Sequence, residues 1–177
     1  NTASAVKINE TNFPDETFRG FVKKFDKNSN GILSDTEVAV VTNINLSGQG
    51  ISSLKGIEYF TSLIELSCSE NQLVSLDLSQ NKLLEKLECY SNQLTSLNVR
   101  NDTNLKILYC YNNQLTSLNL RNNTNLEKLY CYSNQLVSLD VSQDTALKEL
   151  VCSSNQLTSL DISKNTALFK LNCPGNK

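Results

Sequence analysis

The stretch LKILYCYNNQLTSLNLRNNTN at residues 105–125 decides the fold, because it recurs along most of the chain with a period of 21 residues. The shared pattern is L-x-x-L-x-C-x-x-N-Q-L-x-x-L-x-(L/V/I)-x-x-(N/D)-x-x. Its copies begin at Leu63, Leu84, Leu105, Leu126, Leu147 and Leu168, the last of them partial. A degenerate copy at residues 44–62 precedes the five full ones. A fixed period of this length predicts a solenoid of stacked coils.

Each copy contains two short segments in which apolar residues alternate, such as Leu108 and Cys110 followed by Leu118 and Leu120. Alternation of this kind is typical of β-strands. Since the two halves of the repeat are alike, we expect short strands on both sides of each coil. No coil can bury its leucines alone, so neighbours stack about 4.8 Å apart to form the core. The predicted fold is a right-handed leucine-rich-repeat solenoid, mainly parallel β.

The cysteines follow the repeat. They lie 21 residues apart, at Cys68, Cys89, Cys110, Cys131, Cys152 and Cys173. Zinc sites instead pair cysteines two to four residues apart. Stacked neighbours about one strand spacing apart exceed the Cβ separation of roughly 3.8 Å that a disulfide prefers. We therefore predict a buried column of free thiols that act as small hydrophobic residues.

A second column consists of asparagines placed just after the first strand, where the chain turns inward. Its members are Asn71, Asn92, Asn113, Asn134, Asn155 and Asn176. An amide both donates and accepts, so it satisfies backbone groups that a bend leaves unpaired. We interpret this column as structural. The turn on the other side of the coil is marked by Asn81, Asp102, Asn123, Asp144 and Asn165.

Composition narrows the function. The net charge is −2 with 19% charged residues, which provides no basic field for nucleic acid or an anionic membrane. The chain has no histidine, which removes Ser-His and Cys-His nucleophilic mechanisms and mixed Cys/His metal sites. Because no convergent acid, base and nucleophile can be named, we expect no enzymatic activity. No apolar run reaches the length of a membrane span, so membrane insertion is not predicted.

The repeat resembles that of the internalin family of bacterial surface proteins. The likeness extends to the lead-in, where Phe13-Pro14-Asp15 opens a helical segment and residues 51–60 (ISSLKGIEYF) enter the first full repeat. The chain departs from the family in its shorter repeat and in having cysteine where internalins commonly place leucine. The resemblance implies a secreted or cell-surface bacterial protein, its signal peptide removed, whose sheet face binds another molecule.

Residues 1–42 do not follow the repeat, and we predict that they form a helical cap on the solenoid of residues 43–177. Phe18, Phe21, Val22 and Phe25 are spaced as one face of an amphipathic helix. Such a face would cover the open end of the core, as terminal coils require.

The segment Asp26–Glu37 matches the twelve-residue EF-hand calcium loop at every diagnostic position. The expected ligands are Asp26, Asn28, Asn30, the Ile32 carbonyl, Ser34 through water, and Glu37. With only two charged ligands and no second loop, we expect weak affinity, about 10⁻⁴ to 10⁻³ M. Ser34-x-x-Glu37 is also a capping box that starts a helix without metal, and both roles are compatible.

Tyrosines are concentrated on the predicted outer face of the first strand, which is the candidate binding surface. The predicted contact residues are Tyr90, Tyr109, Tyr111, Tyr130 and Tyr132, with Ile107, Lys86 and Lys128 beside them. Exposed tyrosines are enriched in interfaces and also stack on sugars. The alternative is that they stabilise the sheet by stacking between repeats.

Two functions remain open at this point. The first is an adhesin-like binding module that recognises a protein or a glycan. The second is a structural spacer within a larger surface protein, with no ligand of its own. The sequence stops within the sixth repeat, so we expect an open sheet edge there. This edge favours either continuation of the solenoid or edge-to-edge association between copies.

Overall fold

The computed structural model describes residues 5–177, so residues 1–4 of the predicted cap lie outside the described part. The cap contains strand β1 (Val6–Lys7), helix α1 (Glu16–Val22), strand β2 (Ile32–Leu33) and helix α2 (Asp35–Ala39). Strands β1 and β2 pair antiparallel. Short 3-10 helices occupy Lys23–Phe25 and Ile57–Tyr59.

A seven-stranded parallel sheet forms one side of the solenoid, with its strands in chain order. They are β3 (Asn43–Asn45), β4 (Glu65–Ser67), β5 (Lys86–Glu88), β6 (Ile107–Tyr109), β7 (Lys128–Tyr130), β8 (Glu149–Val151) and β9 (Lys170–Asn172). The central leucines Leu87, Leu108 and Leu129 pair in register. The predicted parallel solenoid with a small helical cap is therefore confirmed.

The expectation of strands on both sides of each coil is corrected by the structure. Within residues 5–177 the second side forms no strand. On that side, one backbone hydrogen bond per coil connects it to the preceding coil, such as the bond from Gln114 N–H to Leu94 O at 2.8 Å. Asn98 then accepts from Arg100 N–H at 3.1 Å, and this local turn competes with a sheet ladder. The two halves share an apolar pattern but not the hydrogen bonds that make a sheet.

The inward side chains form one continuous core that the cap closes. Leu108 and Cys110 are fully buried, as are Phe18 and Val22 of α1. Phe21 and Phe25 are only partly buried at its edge. The helical face predicted from their spacing therefore covers the end of the core.

Asp15 joins the cap to the first coil. Its Oδ1 accepts from Phe18 N–H at 3.0 Å, which caps α1, and its Oδ2 accepts from Ser52 N–H at 2.9 Å. Beside this joint, Gly56 has φ of 108°, and a Cβ there would lie 2.2 Å from the Phe13 ring. Only glycine allows the chain to turn this close to the buried Phe13.

Each asparagine of the first-strand turn links two successive coils. The Nδ2 group of Asn113 lies 3.1 Å from both Cys89 O and Cys110 O, and its Oδ1 accepts from Leu94 N–H at 3.0 Å. The residue before it, Asn112, has φ of 53°, which turns the chain inward. Because Cys89 and Leu94 belong to the preceding coil, the amide sets the register between coils.

We expect Asn113→Ala to lower the free energy of unfolding by about 2–4 kcal/mol, because it leaves the Leu94 N–H and buried carbonyls without partners. Urea denaturation followed by circular dichroism measures this difference. The control is Asn122→Ala, whose amide makes one exposed hydrogen bond to Arg100 O, and we expect a loss below about 1 kcal/mol. Equal losses in the two variants would contradict a register role for Asn113.

Candidate functional site

Five tyrosines form two stacked columns on the outer side of the sheet, here called the tyrosine face: Tyr90, Tyr109, Tyr111, Tyr130 and Tyr132. In the first column, Tyr111 lies between Tyr90 and Tyr132, with ring centroids 4.4 Å and 4.3 Å away and nearly parallel planes. In the second, Tyr109 and Tyr130 have centroids 4.6 Å apart. The rings within a column therefore cover one another's faces and leave edges and hydroxyls outward.

The other predicted contact residues lie in a neighbouring row of the same sheet. Lys86, Ile107 and Lys128 pair in register on β5, β6 and β7. Lys86 Nζ lies 2.8 Å from Glu88 Oε1, and Lys128 Nζ lies 3.2 Å from Glu149 Oε1. The structure therefore places the predicted lysines beside the tyrosine face but pairs both with acids.

A groove of about 410 Å³ opens where the tyrosine columns end. Its lining residues are Tyr109, Tyr111, Tyr130, Tyr132, Val151, Ser153, Lys170 and Asn172. Val151 and Ser153 occupy the positions that Tyr130 and Tyr132 hold one coil earlier, so smaller side chains replace the rings. The sequence analysis missed these last four residues. The signal was the change from tyrosine to smaller residues at two repeat positions.

A polar network connects Tyr130 and Lys170, two of the residues that line the groove, with Glu149. The Tyr130 hydroxyl donates to Glu149, and Lys170 Nζ lies 2.8 Å from that hydroxyl and 3.5 Å from Glu149 Oε2. The hydrogen bond from Tyr130 and the charges of Lys128 and Lys170 lower the pKa of the Glu149 carboxyl. The Tyr130 ring is thus held in one orientation by Glu149 and Lys170, which the sequence analysis did not identify.

The hydroxyls of Tyr109 and Tyr111 stay protonated. Burial and the neighbouring Tyr130 raise the pKa of Tyr109, and burial with both flanking rings raises the pKa of Tyr111. These two residues therefore present neutral phenols, which donate and accept hydrogen bonds.

The loop Asp26–Glu37 folds around its own oxygen atoms. Asn30 N–H lies 3.2 Å from Asp26 Oδ1 and 3.0 Å from Asn28 Oδ1, so these two oxygens meet at one nitrogen. Asp26 Oδ2 also accepts from Gly31 N–H at 2.8 Å. Gly31 has φ of 78°, as the sharp turn at the sixth loop position requires.

Glu37 closes the loop back to its start. Its Oε1 accepts from Lys27 N–H at 2.8 Å and its Oε2 from Ser34 N–H at 2.9 Å. Ser34 also caps α2, so the capping box is formed. Hydrogen bonds from Ser34 and Lys27 lower the pKa of Glu37, which keeps it ionised.

Over residues 5–177, no group of three or more His, Cys, Asp or Glu side chains is placed to hold a metal. A metal here would rest on two carboxylates, amides and a carbonyl.

The predicted buried column is confirmed for five of the six cysteines, but the prediction is wrong for Cys173, which is exposed because no described coil packs on its outer side. None of these described cysteines forms a disulfide. Burial and the Glu88 charge raise the pKa of Cys68 to about 12, and burial with Cys173 raises the pKa of Cys152 to about 11. The buried thiols are therefore neutral and poorly nucleophilic.

In the described part of the chain, no helix has the length and apolarity needed to cross a membrane.

Stacked parallel strands, inward leucines and an asparagine at every turn define the chain as a leucine-rich-repeat solenoid. The family described as Leucine Rich repeats (2 copies) matches residues 103–143. Internalin J of Listeria monocytogenes serotype 4b (strain F2365) is 38% identical over 70 residues, which is 39% of this chain and 8% of that protein.

Solved structures extend this likeness over nearly the whole chain. The functional domain of InlJ from Listeria monocytogenes, which includes a cysteine ladder, is 33% identical with a TM-score of 0.76. The match covers 99% of this chain and 44% of that one. An internalin (inlF) from the same species has 23% identity and a TM-score of 0.73, over 98% of this chain and 60% of that one, and shows the fold alone. The chain is an internalin-like bacterial leucine-rich-repeat protein, as the resemblance implied, and spans less than half of each Internalin J chain it matches.

The burial pattern predicts that one thiol of the native protein reacts rapidly with a disulfide reagent and that five react only after unfolding. Reaction of folded and urea-unfolded protein with Ellman's reagent measures both numbers. Cys173→Ser, which removes the exposed thiol, should abolish the rapid phase. Rapid reaction of a second cysteine would contradict a closed thiol column.

Proposed function

We propose that this chain is a secreted or surface-exposed binding module that recognises a protein partner through the tyrosine face, in the manner of an adhesin. The observation that carries the proposal is the groove at the end of the tyrosine columns. It combines aromatic edges, hydroxyls and small side chains at one place. Tyrosines of this kind are enriched at the centres of protein interfaces.

The stacking geometry favours a protein over a glycan. A sugar stacks on an exposed ring face, but the faces of Tyr111 are covered by its two neighbours at 4.4 Å and 4.3 Å. Within this column only the outer faces of Tyr90 and Tyr132 are left, because the next positions hold Ser69 and Ser153. In the other column, Lys170 Nζ lies over the Tyr130 ring, 4.9 Å from its centroid. Ring edges and hydroxyls suit the mixed apolar and polar contacts of a protein surface.

The spacer function is the second candidate, and the same stacks favour it. Each tyrosine pair contributes about 0.5–1.5 kcal/mol beyond its buried area. Three such pairs connect the coils around β5, β6 and β7. A chain selected only for stability would keep these rings without binding anything through them.

Location outside the cell is part of the proposal. It is supported by the likeness to Internalin J and InlJ, which belong to a surface-type family.

The last described coil offers a further contact surface, since Phe169 and Leu171 are 74% and 42% exposed. This apolar edge supports edge-to-edge association between copies.

We also propose that loop Asp26–Glu37 binds Ca²⁺ weakly. Its donors are all oxygens, which calcium prefers. The side chains of Asp26, Asn28, Asn30 and Glu37 would hold the ion, with Ser34 acting through water. Gly31 O accepts from Ile8 N–H at 2.9 Å, and successive carbonyls of a strand point to opposite sides. The Ile32 carbonyl is therefore directed away from β1, as its role as a ligand requires.

The tyrosine face is tested by replacing Tyr109, Tyr111, Tyr130 and Tyr132 together by serine, then by phenylalanine. We expect the serine variant to lose binding to hits on an extracellular-protein array at least tenfold, as removal of interface aromatics does. The matched control replaces Thr95, Thr116, Val137 and Thr158, exposed on the second side, by serine.

Three results separate the candidates. Unchanged protein binding by the folded serine variant would overturn the tyrosine-face proposal. Hits confined to a glycan array, and lost in the serine variant, would assign the face to sugars. If wild-type protein shows no hits while the serine variant is destabilised and the phenylalanine variant is not, the spacer function stands.

The calcium loop is tested by calorimetric titration of Ca²⁺ into chelator-stripped protein. We expect saturable binding with a Kd of about 10⁻⁴ to 10⁻³ M, lost in Glu37→Gln because the bidentate ligand is gone. Asp35→Asn removes an exposed acid of the same loop that is not an expected ligand, and should bind as wild type. Absence of saturable heat at millimolar Ca²⁺ would leave Glu37 as a helix cap only.

A further inference from the structure

The turn on the second side of each coil carries a buried column of five side chains, here called the back-turn column: Asn81, Asp102, Asn123, Asp144 and Asn165. All five are at most 4% exposed. In its amide members, Nδ2 donates to two backbone carbonyls of the preceding coil. Asn123 Nδ2 lies 2.9 Å from Val99 O and 3.0 Å from Asp102 O, and Asn165 repeats this arrangement with Val141 O and Asp144 O.

The two aspartates occupy the same place without an amide. By the repeat register, the Asp102 carboxyl group faces Leu78 O and Asn81 O, and Asp144 faces Leu120 O and Asn123 O. Asp102 Oδ1 and both carboxyl oxygens of Asp144 are buried with no hydrogen-bond partner. An ionised carboxylate only accepts, so it would place acceptor against acceptor where asparagine donates.

We propose that Asp102 and Asp144 are neutral carboxylic acids in the folded solenoid, each donating its proton to a carbonyl of the preceding coil, and that they make the fold sensitive to pH. A protonated carboxyl restores the donor that asparagine supplies in the other coils. When the chain unfolds near neutral pH, both groups ionise in water and release their protons. The folded state is therefore favoured by mild acid.

The electrostatic surroundings agree with this geometry. The neighbouring members of the column, Asn81, Asn123 and Asn165, are neutral amides. Burial raises the pKa of Asp102 to about 7, and burial with the nearby Asp140 charge raises the pKa of Asp144 to about 7. Hydrogen bonds with Ser142 and the charge of Arg121 lower the pKa of Asp140.

The sign of the pH dependence follows from the raised pKa. The stabilisation is complete below the ordinary value of 3.8 and is lost as pH rises to about 7. Between these limits the unfolding equilibrium constant rises about tenfold per pH unit for each carboxyl.

The position of the two acids links the pH sensitivity to the tyrosine face, a link that rests on the proposed binding function. Asp102 lies in the turn before β6, and Asp144 lies in the turn before β8. The strands between them carry Tyr109 and Tyr130, which line the groove. The coils that present the tyrosine face are thus the ones whose contacts with their neighbours depend on a proton.

The test compares wild type with Asp102→Asn/Asp144→Asn, which installs the column's own residue at both places. Urea unfolding is measured from pH 5.5 to 8. We expect the unfolding constant of wild type to rise with pH and that of the double variant to be lower at pH 8 and nearly level. Unfolding at pH 6 in weak buffer with a pH indicator should release about two protons more from wild type than from the double variant.

Two further variants control the comparison. Asn123→Asp adds a third acid to the column and should steepen the pH dependence. Asp161→Asn alters an exposed acid with a lowered pKa and should leave the slope in this range unchanged. The proposal is overturned if the double variant keeps the wild-type slope, or if the two proteins release equal numbers of protons.

Discussion

The rest of the structure depends on one interaction, the asparagine amide that joins each coil to the one before it. Asn113 satisfies Leu94 N–H and Cys89 O of the preceding coil together with Cys110 O of its own. Because an amide both donates and accepts, one side chain pairs groups on two coils and permits a single alignment between them. The 21-residue register of the sheet, the buried leucines and the thiol column all follow from that alignment.

The same register turns repeated sequence positions into columns, and their composition decides what each column does. On the sheet side, tyrosines at one position stack at 4.3–4.4 Å, and their replacement by Ser153 in the next coil opens a groove. On the back turn, aspartates replace asparagines and exchange a permanent donor for one that depends on pH. Variation between copies is therefore what distinguishes one coil from another in this fold, since the invariant leucines, the cysteines and the turn asparagines are used for stacking.

Several features could be predicted from residues alone because they depend on period and local chemistry. The spacing of Phe18 and Val22 was enough to predict a capping helix, and Ser34 with Glu37 was enough to predict a helix start. The absence of strands on the second side could not be predicted in the same way. The apolar alternation there equals that of the first side, but Asn98 accepts a hydrogen bond from Arg100 N–H, and this local turn directs the backbone away from the neighbouring coil. Such competition between local and ladder hydrogen bonds is not visible in an apolar pattern.

The sequence by itself determined the solenoid, its register, the buried thiols and the membership of the tyrosine columns, because a strict period assigns each residue a direction. Only the tertiary structure decided that the rings cover one another's faces, that Glu149 and Lys170 hold Tyr130, and that carboxyl oxygens of Asp102 and Asp144 are buried without hydrogen-bond partners. Residues such as Tyr130 and Lys170 are 40 positions apart. Their contact depends on the distance between stacked coils and on side-chain rotamers, which repeat spacing does not specify.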